Sequence, residues 1–218
     1  MSRPIGYVFA EPPENTMLTI NTVADLNALY GEPGEASLIK VTPKLTPEYR
    51  RMIEASPFVA LATVGPEGLD CSPRGDAAQV VYVDDDQTLL MPDWRGNNRV
   101  DSLSNIVRDP RVGLMFLIPG STTTMRVNGR AVVAIEPDLL ARFVMDGRHP
   151  RSVVVIVIDE VYTQCARAVI RADLWNAEKF VPPGCLPTVG QMMKTIKDGF
   201  DGEAYDRDWP GRAAKTMW

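Results

Sequence analysis

The sequence predicts an α+β protein with an all-β core and peripheral helices, on three observations. Residues 58 to 133 read as about six short strands with one interrupting helix. A β-branched run from Ser152 to Val161 is typical of a strand that is buried on both faces. The length of 218 residues suits one good core and is too short for two comfortable domains.

The segment of residues 1 to 40 is predicted to be an N-terminal extension. Thr22 is placed to cap a short helix in which Val23, Leu26 and Tyr30 share one face. The apolar residues of this segment argue against a disordered leader, so we expect it to pack on the β core.

Residues 41 to 180 are predicted to form the central domain. Thr46 and Pro47 begin a helix that ends before Pro57. The strands predicted after it are Phe58–Val64, a second strand after the Gly65–Gly68 turn, Thr88–Met91, Val112–Ile118, Thr122–Ile135 and Ser152–Val161. Two helices are predicted between these strands, Asn98–Val107 and a short one from Glu136 to about Val144. The Asp84–Asp86 run lacks the remaining ligands of a calcium loop and is interpreted as a hairpin turn, so no metal site is predicted.

Residues 181 to 218 are predicted to form a C-terminal tail with one short helix, from Val189 to Lys197. Between the domain and the tail, Tyr162 to Ile170 either continues the sheet or turns sharply from it.

Composition and charge argue against several classes of protein. The hydrophobic fraction of 45% and the charged fraction of 23% are ordinary for a globular chain. A net charge of −5 argues against a nucleic-acid binder, which is normally basic. The longest apolar run, Val153 to Ile158, is too short to span a membrane, and residues 1 to 6 lack the apolar core of a signal peptide. Three cysteines without a Cys-x-x-Cys pair favour a reducing cytoplasm.

The connection in front of the helix that interrupts the strands carries the clearest signal for a binding site. Gly96 suits a tight turn, and Asn97 or Asn98 is placed to cap the helix. Arg95 and Arg99 add positive charge where the helix dipole already favours an anion. The connection therefore predicts a phosphate cradle, although a capped surface helix has the same features.

The motifs around this connection resemble those of the split-barrel FMN-binding proteins related to pyridoxamine 5'-phosphate oxidase. The resemblance covers about residues 45 to 175. Its most specific parts are Ser72-Pro73-Arg74-Gly75-Asp76, Gly96-Asn97-Asn98-Arg99 with its helix and Asp109-Pro110, and Arg126-Val127-Asn128-Gly129. The tail from Tyr205 to Trp218 is also typical of one subfamily of these proteins.

The resemblance implies a six-stranded antiparallel split β-barrel with peripheral helices. It also implies a homodimer with FMN at the subunit interface. The apolar run Val153–Ile158 and the region of Trp175 support the homodimer, because they offer more apolar surface than the barrel needs for its own core. The expected activity is an FMN-dependent oxidoreductase reaction on an unknown small molecule or a reduced cofactor. The alternatives are a non-catalytic flavin carrier or sensor, a deazaflavin-dependent reductase on the same barrel, and an interaction domain whose flavin site has decayed.

Four arginines are candidates for the phosphate of FMN, because a guanidinium fork makes two charge-assisted bonds to phosphate: Arg74, Arg95, Arg99 and Arg126. In the family, the positions after Gly96 carry a hydroxyl residue and two basic residues. Here they hold Asn97, Asn98 and Arg99, so one basic residue is missing. Arg74 or Arg126 is expected to supply the absent charge, while Asn98 can still donate from its amide.

Asp76, Thr124 and Trp175 complete the predicted cofactor-binding set. Asp76 accepts from the flavin ring or the ribityl hydroxyls, or else pairs with Arg74. The anion that Arg126 needs inside a strand is either the cofactor or Asp76. By the resemblance, Thr124 lies near the N5 edge of the ring, and Trp175 lies near the flavin of a second subunit.

No residue is predicted to be catalytic. His149, the one histidine of the sequence, is interpreted as a surface loop residue, and Cys165 as a small buried residue with an ordinary thiol.

Overall fold

The computed structural model describes residues 18–77 and 79–216. The strands are β1 (Phe58–Gly65), β2 (Gly68–Gly75), β3 (Tyr82–Val83), β4 (Thr88–Asp93), β5 (Arg111–Leu117), β6 (Thr124–Ala134) and β7 (Ser152–Gln164). The helices are α1 (Val23–Tyr30), α2 (Glu35–Ile39), α3 (Pro47–Glu54), α4 (Asp101–Arg108), α5 (Pro137–Leu140), α6 (Arg167–Ala172), α7 (Val189–Ile196) and α8 (Gly202–Thr216), with one 3₁₀ turn at Ala177–Lys179.

The strands form one antiparallel sheet in the order β2-β1-β5-β6-β7-β4-β3. Burial alternates along β1 and β5, so that Val59, Leu61 and Phe116 are fully buried while their neighbours are partly or fully exposed. Six strands are long, and β3 adds a short edge strand of two residues. The predicted six-stranded antiparallel arrangement is therefore confirmed.

The sheet curls without closing. β2 and β4 are separated by β1, β5, β6 and β7 in the sheet order. Nevertheless, Nη1 of Arg74 on β2 lies 2.9 Å from Oδ1 of Asp93 on β4. No strand pairing joins β2 to β3 or β4 among the described residues, so the ion pair bridges an opening. The predicted split β-barrel is confirmed, and its opening lies beside Arg74.

The helix α4 packs against β1 and also contacts β2 and β6. Ser102, Asn105 and Ile106 are buried, and their spacing places them on one face of the helix. Nδ2 of Asn105 donates to Oγ1 of Thr63 at 3.1 Å, so the two buried polar side chains satisfy each other. These contacts fix the orientation of α4 on the barrel.

The helices differ from the predictions in five places, two of which are α2 and α6, helices that the sequence does not predict. α4 begins at Asp101 rather than at Asn98, and α5 ends before Val144. The sequence does not predict α8, because this helix is polar and contains Pro210, a residue that normally interrupts helices. The predicted helix at Val189 is confirmed.

The strand β7 corrects the expectation of surplus apolar surface. Val153, Val154, Ile156 and Ile158 are at most 2% exposed, and Val157 is the exposed member of the run at 51%. β7 lies between β6 and β4, so its side chains complete the core of their own chain. This run therefore does not support the homodimer.

The described contacts divide the chain after Leu38 into a small N-terminal unit and a larger unit. In the small unit, Oγ1 of Thr22 accepts from the backbone N of Asp25 at 3.1 Å, so the predicted cap of α1 is confirmed. Packing of the extension on the barrel stays a prediction. The expectation about a signal peptide concerns residues 1 to 6, which lie outside the described residues.

Within residues 18–77 and 79–216, no helix is both long and apolar enough to cross a membrane. In the same part of the chain, no group of three or more His, Cys, Asp or Glu side chains could hold a metal ion.

Candidate functional site

A cleft with three adjoining parts follows the opening of the barrel, and Arg74 lines every part. The parts have volumes of about 200, 260 and 360 Å³, and the largest alone lies within the usual size range of small-molecule sites. The ends of β2 and β4 and the connection to α4 supply the lining. We call this feature the Arg74 cleft, and it brings together six predicted residues: Arg74, Asp76, Arg95, Asn97, Asn98 and Arg99.

Arg74 is a partly buried cation. Its side chain is 26% exposed and pairs with Asp93, whose side chain is 18% exposed. The Nε of Arg74 is buried and has no hydrogen-bond partner among the described residues. A buried donor without an acceptor costs about 1–3 kcal/mol, so an acceptor atom from a ligand would stabilise the site.

The connection to α4 is built differently from the prediction. Gly96 does not have a positive φ, whereas Asn98 takes the left-handed conformation with φ 61°, which asparagine tolerates better than most residues. Oδ1 of Asn97 accepts from the backbone N of Arg99 at 2.9 Å. No side chain caps α4, whose N-cap residue is Val100. The predicted cap is therefore wrong, because the connection itself uses both asparagines.

The positive charge of the cleft is only partly compensated. Arg74 and Arg99 each pair with a carboxylate, and Nε of Arg99 donates to Oδ2 of Asp101 at 2.5 Å. Among the described residues, no ion pair includes Arg95 or Arg151, although both line the cleft. Two parts of the cleft therefore each contain a guanidinium group that no carboxylate neutralises, Arg95 in one part and Arg151 in another.

Arg151 is a cleft residue that the sequence analysis misses. Its backbone N donates to the carbonyl of Asp93 at 3.1 Å, and its Nη1 donates to Oδ1 of Asn98 at 2.7 Å. The antiparallel pairing of β7 with β4 brings it here, since Ser152 pairs with Asp93. The sequence signal is an arginine directly before a strand, but the register of two distant strands is not visible in the sequence.

Trp94 gives the cleft an aromatic wall, and the sequence analysis misses this residue too. It is half-buried, lines two parts of the cleft and packs on the cluster of Leu90, Phe143 and Val153. The sequence signal is a tryptophan inside an otherwise polar connection. A flat ligand would find there the large apolar face that a flexible polar loop does not offer.

Hydroxyl groups tie β2 to α4 beside the cleft. Oγ of Ser102 donates to Oδ2 of Asp70 at 2.6 Å. Because that bond uses the Ser102 proton, Oγ of Ser72 donates to Oγ of Ser102 across 2.9 Å. Ser102 is buried, so the two bonds hold the first turn of α4 at a fixed distance from β2.

Asp76 lines the cleft near Tyr82. Its Oδ1 accepts from the backbone N of Ala77 at 2.6 Å. Burial, together with the negative charge of Asp76, raises the pKa of Tyr82 above its ordinary value. The predicted partners, Arg74 and Arg126, form no ion pair with Asp76 in the described part of the chain, because Arg74 pairs elsewhere.

Three predicted residues do not line the Arg74 cleft. Thr124 is buried at the start of β6. The guanidinium carbon of Arg126 lies 5.2 Å from the ring centre of Tyr162, and the residue lines a different cleft. Nε1 of Trp175 donates to the carbonyl of Ser121 at 2.7 Å. A single chain therefore does not bring these three side chains to the other predicted residues.

The predictions for His149 and Cys165 have different outcomes. His149 is exposed in a loop, and its Nδ1 lies 3.1 Å from the carbonyl oxygen of Phe143, so the loop interpretation is confirmed. Cys165 is exposed, and the prediction of a buried thiol is wrong. The physical reason is that the chain leaves the sheet after Gln164, before α6 begins.

A sequence profile of the family Pyridoxamine 5'-phosphate oxidase matches residues 45–165, which is more than half of the 218 residues. No curated protein sequence matches the chain. Similar solved structures include a proposed pyridoxamine 5'-phosphate oxidase from Lactobacillus delbrueckii, with 28% identity over 56% of this chain and 95% of that chain and a TM-score of 0.45. They also include an FMN-binding protein from Syntrophomonas wolfei, with 15% identity over 53% of this chain and 83% of that chain and a TM-score of 0.41.

The fold and the cleft thus define a split-barrel protein with an arginine-lined cleft at the opening of the barrel. The chain belongs to the pyridoxamine 5'-phosphate oxidase family, as the profile match over the barrel shows.

Proposed function

We propose that this protein binds FMN in the Arg74 cleft and is an FMN-dependent oxidoreductase that acts on a small molecule. The observation that carries the proposal is made at Arg74, which lines all three parts of the cleft and whose buried Nε has no acceptor among the described residues. A phosphate oxygen is an acceptor that suits a guanidinium donor.

The remaining residues of the cleft fit the other parts of FMN. Arg95 and Arg99 add positive charge for the phosphate dianion at the connection to α4. The amide of Asn97 and the carboxylate of Asp76 are suited to the ribityl hydroxyl groups. The indole of Trp94 offers an apolar wall for the flat ring.

When it is bound, FMN supplies two-electron redox chemistry. The chain contributes binding and orientation. The Arg74–Asp93 pair holds the two sides of the opening together, and the bonds of Ser102 hold the first turn of α4 against β2. No side chain is assigned to proton transfer.

We further propose that the working unit is a homodimer. Thr124, Arg126 and Trp175 do not line the cleft of their own chain. The family resemblance nevertheless groups them with the flavin. The position of these residues agrees with the resemblance if each subunit contributes them to the cleft of the other subunit.

The test is to identify the cofactor of the purified protein by absorbance and mass after denaturation. The apoprotein is then titrated with FMN, riboflavin, FAD and a deazaflavin. We expect FMN to bind most tightly, because the chain has no Gly-x-Gly-x-x-Gly fingerprint for a dinucleotide. Failure to take up any flavin would contradict the proposal, and preference for the deazaflavin would favour the alternative reductase. Bound FMN that no reduced nicotinamide or small-molecule donor reduces would favour the non-catalytic carrier.

A further inference from the structure

The strongest unassigned feature of the Arg74 cleft is the contact between Arg151 and Asn98. Arg151 stands directly before β7, and its backbone N is bonded to the carbonyl of Asp93, so the root of the side chain is fixed by the sheet. The guanidinium donates through Nη1 to Oδ1 of Asn98 at 2.7 Å. This contact joins the start of β7 to the connection before α4.

The contact orients the Arg151 guanidinium without neutralising it. Two other arginines of the cleft, Arg74 and Arg99, pair with carboxylates. Arg151 bonds to a neutral amide and is in no ion pair among the described residues. A guanidinium has five N–H donors, and the bond to Asn98 uses one of them. The rest of the fork and the full charge are available to an anion.

The backbone of Asn98 supports the same interpretation. Asn98 has a φ of 61°, a conformation that asparagine and glycine adopt more readily than lysine or arginine. A long basic side chain at this position would meet that backbone cost. The amide of Asn98 instead accepts a hydrogen bond from Arg151, which stands directly before β7.

We propose that Arg151 is a phosphate-binding residue of the cleft and that Asn98 is its positioning residue. The basic residue that the sequence lacks at position 98 is thereby supplied from the start of β7. The proposal rests on the proposed function, because it names a ligand of the same phosphate.

The experiment compares FMN with riboflavin, which has the same ring and ribityl chain but no phosphate. R151A is expected to weaken FMN binding about tenfold or more, the scale of one lost bond to a charged group, and to leave riboflavin binding within about twofold. R142A is the matched control, because Arg142 is an exposed arginine that pairs with Asp84 at 2.6 Å and does not line the cleft. It should change neither affinity. The melting temperature of each variant is measured to show that it is folded.

Asn98 is tested through its effect on Arg151. N98G removes the amide and keeps the positive φ accessible. It should weaken FMN binding in the wild-type background and have almost no effect in the R151A background, since coupled residues are not additive. Equal effects in the two backgrounds would contradict the positioning role.

The outcomes separate this proposal from the proposed function. Wild-type protein that binds neither flavin overturns both. Wild-type protein that binds FMN, with R151A binding it equally well, overturns the role of Arg151 alone. Equal loss of FMN and riboflavin in folded R151A would also overturn it, because the side chain would then support the cleft rather than bind the phosphate.

Discussion

Arg74 combines two features that both depend on the shape of a guanidinium group. Its Nη1 pairs with Asp93 across the opening of the barrel, and its buried Nε has no acceptor among the described residues. A lysine would keep the charge but would offer a point charge on a flexible stem in place of a fork with fixed donors. The identity of this residue therefore matters more than its charge.

R74K is accordingly expected to weaken FMN binding nearly as much as R74A, by about 1.5–3 kcal/mol for the loss of a bond to a charged group. Calorimetric titration of the apoprotein measures the change. R50A is the control, because Arg50 on α3 pairs with Glu54 four residues later and does not line the cleft. If both Arg74 variants fold and keep the wild-type affinity, Arg74 does not bind the phosphate.

The sequence predicts single cleft residues well when a local motif carries them. Arg74 and Arg99 lie in motifs and both line the cleft, while their binding of the cofactor stays a prediction. Arg151 has no motif, because its place depends on the pairing of β7 with β4. The alternative in which Asp76 pairs with Arg74 is not observed, for the same reason: Asp76 is close in sequence, whereas Asp93 becomes close only when the sheet curls.

At the scale of elements, the longest strand pair, β6 with β7, explains one motif of the resemblance. The pairing shifts register between Asn128 and Gly129. A Cβ atom at Gly129 would lie 2.2 Å from the carbonyl oxygen of Val157. The obstacle is backbone of the neighbouring strand, which cannot rotate away. Glycine is required here by close approach of the two strands.

G129A is therefore expected to lower the free energy of unfolding by about 1–3 kcal/mol, the usual cost of overpacking, or by more because the contact is with backbone. Urea denaturation followed by circular dichroism measures the change. G113A on the neighbouring strand β5 is the matched control, since its Cβ would meet Oδ1 of Asn128 at 3.4 Å and Cβ of Ala62 at 3.8 Å. We expect G113A to lie within about 1 kcal/mol of the wild type. An equal, small effect of both substitutions would show that the strands separate at the bulge at little cost.

Strands are predicted better than helix ends in this protein, for a physical reason. A short run rich in apolar and β-branched residues is a property of each strand alone, and such runs locate β1, β4, β5 and β6. The start of α4 depends on how Asn97 and Asn98 use their amides, and their bonds to Arg99 and Arg151 take precedence over capping. The sequence alone does not show whether the two asparagine side chains cap the helix or bond to Arg99 and Arg151.

At the scale of the whole molecule, the homodimer is the open structural prediction. The argument from the run Val153–Ile158 fails, because those side chains complete the core of their own chain. The remaining argument for the homodimer is that Thr124, Arg126 and Trp175 do not line the Arg74 cleft of their own chain.

Light scattering of the FMN-loaded protein is expected to give about 48 kDa, which is twice the chain mass of 24.1 kDa. R126A should lower flavin affinity in the dimer if Arg126 reaches the cleft of the second subunit. R130A is its control, because Arg130 lies on the same strand and its Nε is 3.9 Å from Oδ2 of Asp159. If the FMN-loaded protein is a stable monomer of 24.1 kDa, the shared site is contradicted.

The last prediction is that the protein does not oxidise pyridoxamine or pyridoxine phosphate at an appreciable rate. By the resemblance, the oxidase proper holds the substrate phosphate with an Arg-Leu-His-Asp-Arg-like run that follows a tryptophan. Here Trp175 is followed by Asn176-Ala177-Glu178-Lys179, and the sequence has no histidine after His149. The next arginines in the sequence are Arg207 and Arg212, and both lie on α8, more than thirty residues after Trp175.

A second dianion needs cations of its own, because a desolvated phosphate without partners is costly. The cations that line the cleft are those proposed here for the one phosphate of FMN: Arg74, Arg95, Arg99 and Arg151. The assay follows formation of pyridoxal phosphate under air by FMN-loaded protein, with free FMN as the control. Turnover near about one per second, within the ordinary range of enzymes, would contradict the prediction and restore the oxidase activity to this chain. Absence of turnover, with the flavin bound and reducible by a chemical reductant, would confirm this prediction, and assays with other electron donors would then separate an oxidoreductase of a different small molecule from a flavin carrier.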